Sequence, residues 1–395
     1  MRVLIVTKIF PNSVEPLSSP FNRQQFAALS RQCDVEILAT IPWFPGASAF
    51  GRWSAAGRLS GVPASECIDG MRVRHPRFAF LPKVGRGLAG PLYAASLAST
   101  VLPYRNRVDV VLGAWAYPDG FAAVVMAEML GVPAVVKLHG SDVNVVAKWA
   151  APRRRLAWAL PRAERVVAVS RPLAEQAREL GVDPRRIDVV PNGIDRQRFR
   201  PRERAEARRM LGLPLDRELV LSVGHITEEK GASDLLYAFQ AKRSELGDVQ
   251  LALLGDGGAA AKCQALAREL NVPALFVGAQ PHESVPTWLA ACDLLCLPSW
   301  NEGMPNVAVE ALACGRPVVA TSVGGLPDLV NAENGLLVPV REPHALGDAI
   351  VRALRTHYEP QALSDALERP DWDGSARALS ASLLRALGSL ASEAA

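Results

Sequence analysis

The chain has 395 residues, 49% hydrophobic and 21% charged, which is enough apolar material for two domains at about 100 to 200 residues each. No run of about 18 uncharged apolar residues occurs, so a membrane-spanning helix is not expected. The formal charge of +4 hides an asymmetry: residues 1 to 200 carry 27 Lys and Arg against 15 Asp and Glu, and the remainder 17 against 25. A basic half of this kind suits an anionic membrane or substrate, although a single charge cluster is most often solvated surface.

Taken in chain order, "MRVLIVTKIF" has one charge before an apolar run too short for a secretory leader, and reads as a first buried strand. "DVEILAT", "DVVLGAW", "PAVVKLHG", "RVVAVS" and "IDVVPNG" follow, separated by amphipathic stretches, which is the pattern of stacked βαβ units. A polar, Arg-rich segment at 196 to 209 interrupts it, and the pattern restarts with "ELVLSVG", "VQLALLGDG", "ALFVGA", "DLLCLPS", "PVVATSV" and "NGLLVPV". Two α/β domains with parallel sheets are therefore expected, over 1–195 and 196–369. The six cysteines form no C-x-x-C, and Cys292 and Cys296 lie in an apolar run, so neither metal nor disulfide is expected and a reducing cytoplasm fits.

In open α/β sheets, ligands bind beyond the carboxyl ends of the strands. His139, Gly224, the run Gly255-Asp256-Gly257 and Glu302 all fall at such ends. In "NEGMPNVAVEALACGRPVVAT", Pro305 and Asn306 predict a helix start, which puts Glu302 and the amides of Gly303 and Met304 at its positive end. Glu310 lies farther along, where a carboxylate accepts two hydrogen bonds from a vicinal diol such as a ribose. One acid for a sugar and one for a ribose suggest a nucleotide sugar. Taken alone, E-x7-E is explained better by a capping Glu302 and a solvated Glu310.

The surrounding residues add a resemblance. Glu302-Gly303-x-Pro305-x4-Glu310, with "VPTWLAACDLLCLPS" before it and "ALACGRPVVATSVGGLPDLV" after, resembles the donor site of glycosyltransferase family 4. "SVGHITEEKG", "LLGDGG", "VVPNGIDRQRF" and "VVKLHGSDV" are similar to other blocks of that family, in the same order over most of the chain. The resemblance implies the GT-B architecture, two Rossmann-like doubly wound domains with a cleft between them. It also implies that "DWDGSARAL" begins a C-terminal helix, within 370–395, that returns to the first domain.

By the same resemblance, Glu302 holds donor-sugar hydroxyls, the Gly303 and Met304 backbone meets its oxygens beside Pro305, Glu310 binds the ribose, and Lys230 neutralises the diphosphate. His139 reaches toward the transferred sugar or phosphate. Asp142 is an acceptor-side candidate that also reads as a helix cap. Asn192 and Gly193 are expected to shape the turn between domains. Two departures stand out. His225 follows Gly224 where many members have Arg, and "PNSVEPLSSPFNRQQF" replaces a glycine-bearing loop, leaving Arg23 and Gln24 as guesses for acceptor contacts.

The mechanism implied is anomeric retention, with the donor phosphate taking the acceptor proton while Lys230 and helix amides stabilise charge. No metal or cofactor is expected, because Lys with helix amides can replace a divalent cation. The partners expected are a nucleotide-sugar donor and a lipid-linked or glycan acceptor of bacterial envelope or exopolysaccharide assembly, and no nucleic acid. Arg153, Arg154 and Arg155 beside Trp149 and Trp158 suit anionic headgroups at about 1 kcal/mol per basic residue, and an ordinary amphipathic helix serves equally. The location expected is cytoplasmic, with the inner membrane face as its peripheral variant. Two rivals stay open, a nucleotide-sugar epimerase and a non-catalytic nucleotide-sugar-binding scaffold.

Overall fold

The computed structural model describes residues 1–80 and 88–393, so the last two residues of the expected C-terminal helix lie outside it. The chain forms two compact units, Met1–Gly193 with Pro370–Ala395, and Ile194–Arg369.

The strands of the first unit are β1 (Arg2–Thr7), β2 (Asp34–Ala39), β3 (Ile41–Trp43), β4 (Ser65–Ile68), β5 (Met71–Arg74), β6 (Arg77–Ala79), β7 (Val110–Gly113), β8 (Ala134–Leu138), β9 (Arg165–Ala168) and β10 (Ile187–Val189). Eight of them make one sheet in the order β10-β9-β8-β7-β1-β2-β5-β4, and β3 pairs with β6. All pairings are parallel except β4 with β5. β7 and β8 are buried along their whole length, because helices cover both faces of a parallel sheet and turn its strands into unbroken apolar runs.

The β4–β5 hairpin and the β3–β6 pair were not expected from sequence. Their strands are three or four residues long and partly exposed, which leaves little periodic signal. The hairpin does carry a local mark. Asp69 (φ 50°) and Gly70 (φ 78°) both take positive φ, as a tight two-residue turn of type I′ requires.

The C-terminal helix Trp372–Glu393 packs on the helix Pro20–Ser30 and on β7, β8 and β9. It buries Ala376, Leu379, Leu383 and Ala386, one apolar stripe at helical spacing, in the core of the first unit.

The second unit has β11 (Leu219–Val223), β12 (Gln250–Leu254), β13 (Ala274–Gly278), β14 (Leu294–Leu297), β15 (Val318–Thr321) and β16 (Gly335–Val338). Their order is β13-β12-β11-β14-β15-β16, all parallel. Counted within the unit this is 3-2-1-4-5-6, the doubly wound order whose switch point lies between its first and fourth strands, here β11 and β14. Below the sheet, Arg208 of the helix Arg204–Leu211 is buried. It donates to the carbonyls of Ala291 (2.9 Å), Pro214 (3.1 Å), Leu215 (3.2 Å) and Arg217, and it pairs with Asp293 at 2.6 Å.

Candidate active site

The loops leaving β11 and β14 are locked together in the second unit. After β11 the chain turns through Glu228–Lys230 to Gly231, which has φ 69° and passes so close to β14 that an added Cβ would lie 2.0 Å from the Pro298 carbonyl oxygen. A side chain is therefore excluded there twice over, by backbone angle and by space. Two residues earlier, the Glu229 carbonyl accepts the Trp300 N–H at 2.8 Å. This clamp brings Lys230 Nζ to 2.6 Å from Glu302 Oε1, at the switch point of the sheet. Trp300 is fixed in turn, its indole N–H on Asp234 (2.6 Å) and the Arg341 guanidinium 4.0 Å above its ring.

The helix predicted after Pro305 is present as Asn306–Ala313, with Pro305 in the capping position. Glu302, Gly303 and Met304 before it are buried, and the Gly303 carbonyl accepts the Gly325 N–H at 2.6 Å. Glu310 is buried as well, rather than on a solvated face, and its Oε1 lies 3.0 Å from His282 Nε2. The His282 ring rests 5.5 Å from Phe199. Sequence reasoning missed His282; its position just past the end of β13 was the available signal. Gly224 and His225 lie beyond the end of β11, with His225 exposed, while Ile226 binds the loop after β12 through Asp256 and Ala259, each at 3.0 Å.

In the first unit, His139 follows β8 with its ring 5.1 Å from Phe21 and 5.8 Å from Trp115. Burial, with the charge of Lys137 nearby, holds its pKa well below the ordinary value, so the imidazole is neutral at physiological pH. Its Nε2 is buried and has no hydrogen-bond partner among the described residues. Asp142 is occupied: its carboxylate accepts the N–H groups of Ala116 (2.7 Å), His139 (3.1 Å) and Gly140 (2.6 Å). Its carboxylate holds the turns that carry Trp115 and His139.

Arg23 gives its guanidinium to the hairpin turn at Asp69, at 2.7 and 2.8 Å, and Gln24 is its neighbour on the same helix. That pair ties the helix Pro20–Ser30 to the β4–β5 hairpin. Two further residues went unnoticed in the sequence. Lys8 follows β1 with Nζ 5.5 Å from the Trp115 ring centre, and its backbone N–H donates to Asp119 Oδ2 at 2.8 Å. Burial pushes the Asp119 carboxyl up to about 7. The sequence also holds one D-x-D tripeptide, Asp371-Trp372-Asp373, a spacing that could hold a cation. Here Asp371 caps Gly374 (2.6 Å) and Asp373 pairs with Arg31, so both carboxylates serve the start of the C-terminal helix.

Two doubly wound α/β units, each built on a largely parallel sheet, are the architecture of the GT-B class. Residues 27–198 match the family described as Glycosyltransferase Family 4, and residues 217–356 match Glycosyl transferases group 1. The chain is 31% identical over 375 residues to a Bacillus subtilis (strain 168) protein assigned by name to teichuronic acid biosynthesis as glycosyltransferase TuaC, covering 93% of each. The protein therefore belongs to the family 4, group 1 glycosyltransferases.

Solved structures share the fold. Sucrose-phosphate synthase from Thermosynechococcus elongatus is similar with a TM-score of 0.73 at 21% identity, over 100% of this chain and 99% of that one. HepE of Anabaena, solved with UDP and glucose, gives 0.71 at 20% identity, over 97% and 99%.

Proposed function

We propose that this glycosyltransferase moves a sugar, with retention of anomeric configuration, from a nucleoside-diphosphate sugar to a lipid-linked or glycan acceptor in bacterial envelope or exopolysaccharide assembly. The observation that carries the reading is the Lys230–Glu302 pair at the β11/β14 switch point. With donor bound, Lys230 turns to the diphosphate, Glu302 takes sugar hydroxyls and Glu310, steadied by His282, takes the ribose diol. The leaving phosphate accepts the acceptor proton, and Lys230 stabilises the charge that develops, so no divalent cation is required. The UDP held by HepE supports the donor class, and the name of the Bacillus relative supports an envelope polysaccharide.

The test is release of nucleoside diphosphate from a panel of nucleotide sugars, with and without lipid-linked and glycan acceptors. Release that depends on acceptor, with product NMR showing the donor's anomeric configuration, supports the reading. Sugar interconversion without release would mark an epimerase, and binding without either would mark a scaffold.

His225, exposed beyond the end of β11, is the departure to test at the donor site. Arginine can grip a phosphate through two parallel bonds, where a histidine offers a single donor. His225→Arg should tighten nucleoside diphosphate binding a few-fold by calorimetry without abolishing turnover. Unchanged affinity would assign His225 to structure.

The reading places the enzyme at the cytoplasmic membrane face. Among the described residues no helix is long and apolar enough to cross a membrane. The helix Ala150–Ala159 instead exposes Arg153 and Arg154 beside Trp149, which is 52% exposed, while Trp158 packs on Phe121 at 5.3 Å. Pro152 is buried in the first turn, where proline is tolerated, and leaves the helix unbroken. Flotation with anionic vesicles is expected and with neutral vesicles is not; equal or absent binding would remove membrane contact.

A further inference from the structure

The first unit has its own switch point, between β1 and β7, since the chain runs from β1 to β2 on one side and places β7 and β8 on the other. Lys8 leaves the end of β1, Trp115 lies just past β7, and His139 just past β8. Lys8 is exposed, and among the described residues no carboxylate stands within salt-bridge distance of its ammonium. What the ammonium does face is the Trp115 ring, at 5.5 Å. A cation over an aromatic face is held in place by the ring's quadrupole while its other donors remain available.

The polar atoms around it are incomplete. Trp115 Nε1, His139 Nε2 and Asn22 Oδ1 are all buried, and none has a hydrogen-bond partner among the described residues. Asn22 belongs to this place because its amide donates to the carbonyl of Ile9, the residue after Lys8, at 2.9 Å. Buried polar groups are almost always satisfied, so orphans gathered at one end of a sheet point to hydroxyl-bearing molecules, water or ligand. The aromatic components suit a sugar. The C–H face of a pyranose carries partial positive charge and meets the negative face of a ring, and Trp115 and Phe21 offer two such rings beside His139.

We infer that Lys8, Trp115 and His139 form an acceptor subsite selective for a sugar that bears an anionic group, either a carboxylate or a phosphate. This rests on the glycosyl-transfer reading and names its acceptor class. The ring stacks on the aromatic group, its hydroxyls meet the orphaned atoms, and the Lys8 ammonium takes the negative charge. The carboxyl that Lys8 feels, Asp119, lies buried beneath its backbone and is pushed up to about 7, so it leaves much of the ammonium's charge to a ligand.

Calorimetry without any donor tests this, using methyl glucoside, the matching methyl glucuronide and methyl glucoside 6-phosphate. At least one anionic ligand should bind the intact enzyme ten-fold or more tightly than the neutral one, and the stronger of the two identifies carboxylate or phosphate as the group. Lys8→Gln should bring the three ligands within about two-fold of one another, and Lys8→Arg should keep the preference. Equal binding of all three, no binding of any, or an unchanged preference in Lys8→Gln overturns the subsite. So does a loss of nucleoside diphosphate affinity in Lys8→Gln that matches its loss of anionic sugar, since Lys8 would then serve the donor. Because no donor is present, failure of the transfer reading shows separately, as absent nucleotide release from an enzyme that still binds the anionic sugar.

Discussion

Lys230→Ala should lower turnover by about 10²–10³-fold, the usual loss when one preorganised donor to developing charge is removed. The argument starts from the ligand-free pair. Lys230 Nζ sits 2.6 Å from Glu302 Oε1, with the Glu302 side chain 10% exposed and that of Lys230 37%. Glu302 is thus close to sealed, and its partner keeps a solvent-facing side on which a diphosphate can exchange for the carboxylate. Removing Lys230 deletes that charge and breaks its pair with Glu302, so binding and catalysis both suffer. Glu302→Gln keeps the shape and frees Lys230. It should slow turnover strongly while nucleoside diphosphate affinity holds, and Glu310→Ala should do the reverse by weakening nucleotide binding first. Steady-state kinetics beside calorimetry separate these patterns. If Lys230→Ala kept its turnover within a few-fold, the proposed role of the pair would be wrong.

Arg208→Ala should destabilise the second unit by about 3–5 kcal/mol, the range for breaking a buried ion pair from one side. The guanidinium is 1% exposed and spreads its donors over the carbonyls of Ala291, Pro214, Leu215 and Arg217. Asp293 in turn receives Arg204 and Arg208 and the N–H of Leu219, the first residue of β11, at 2.7 Å. The cluster therefore fixes the start of the strand whose far end carries Gly224. Truncation would take a donor from four carbonyls, the buried one of Ala291 among them, and one of two guanidinium partners from Asp293. Urea unfolding followed by circular dichroism should show an early transition for this variant. Overlapping curves would mean that water replaces the guanidinium.

Most of the twelve expected strands were legible because buried parallel strands read as largely apolar runs, "LVLSV" and "AVVKL" among them. "SECI" and "MRVR" were not, because a short hairpin with one exposed face looks like a loop until its Asp-Gly turn is weighed. Glu302, Glu310 and Lys230 were visible as a pattern, but their meaning came from resemblance. The physical facts that join Lys230 to Glu302, the passage of Gly231 under Pro298 and the Glu229–Trp300 bond, depend on two loops far apart in sequence that only the sheet order brings together. His282 and Lys8 carry no periodicity at all. Each is an isolated polar residue past a strand end, and only the neighbouring loop shows what it faces. Asp142 was half legible: a capping carboxylate was foreseen, yet its main duty is to the N–H groups of Ala116, His139 and Gly140.

The central claim is that a nucleoside diphosphate sits at the β11/β14 switch point with its phosphates on Lys230. A thermal-shift screen of UDP, GDP, ADP and dTDP selects the tightest binder, and calorimetry then compares that diphosphate with its bare nucleoside on the wild type and on Lys230→Ala. The account predicts that the diphosphate adds ten-fold or more to affinity in the wild type and little in the variant, with nucleoside binding alike in both. Failure of all four diphosphates to bind, or an equal phosphate contribution in the two proteins, would contradict it.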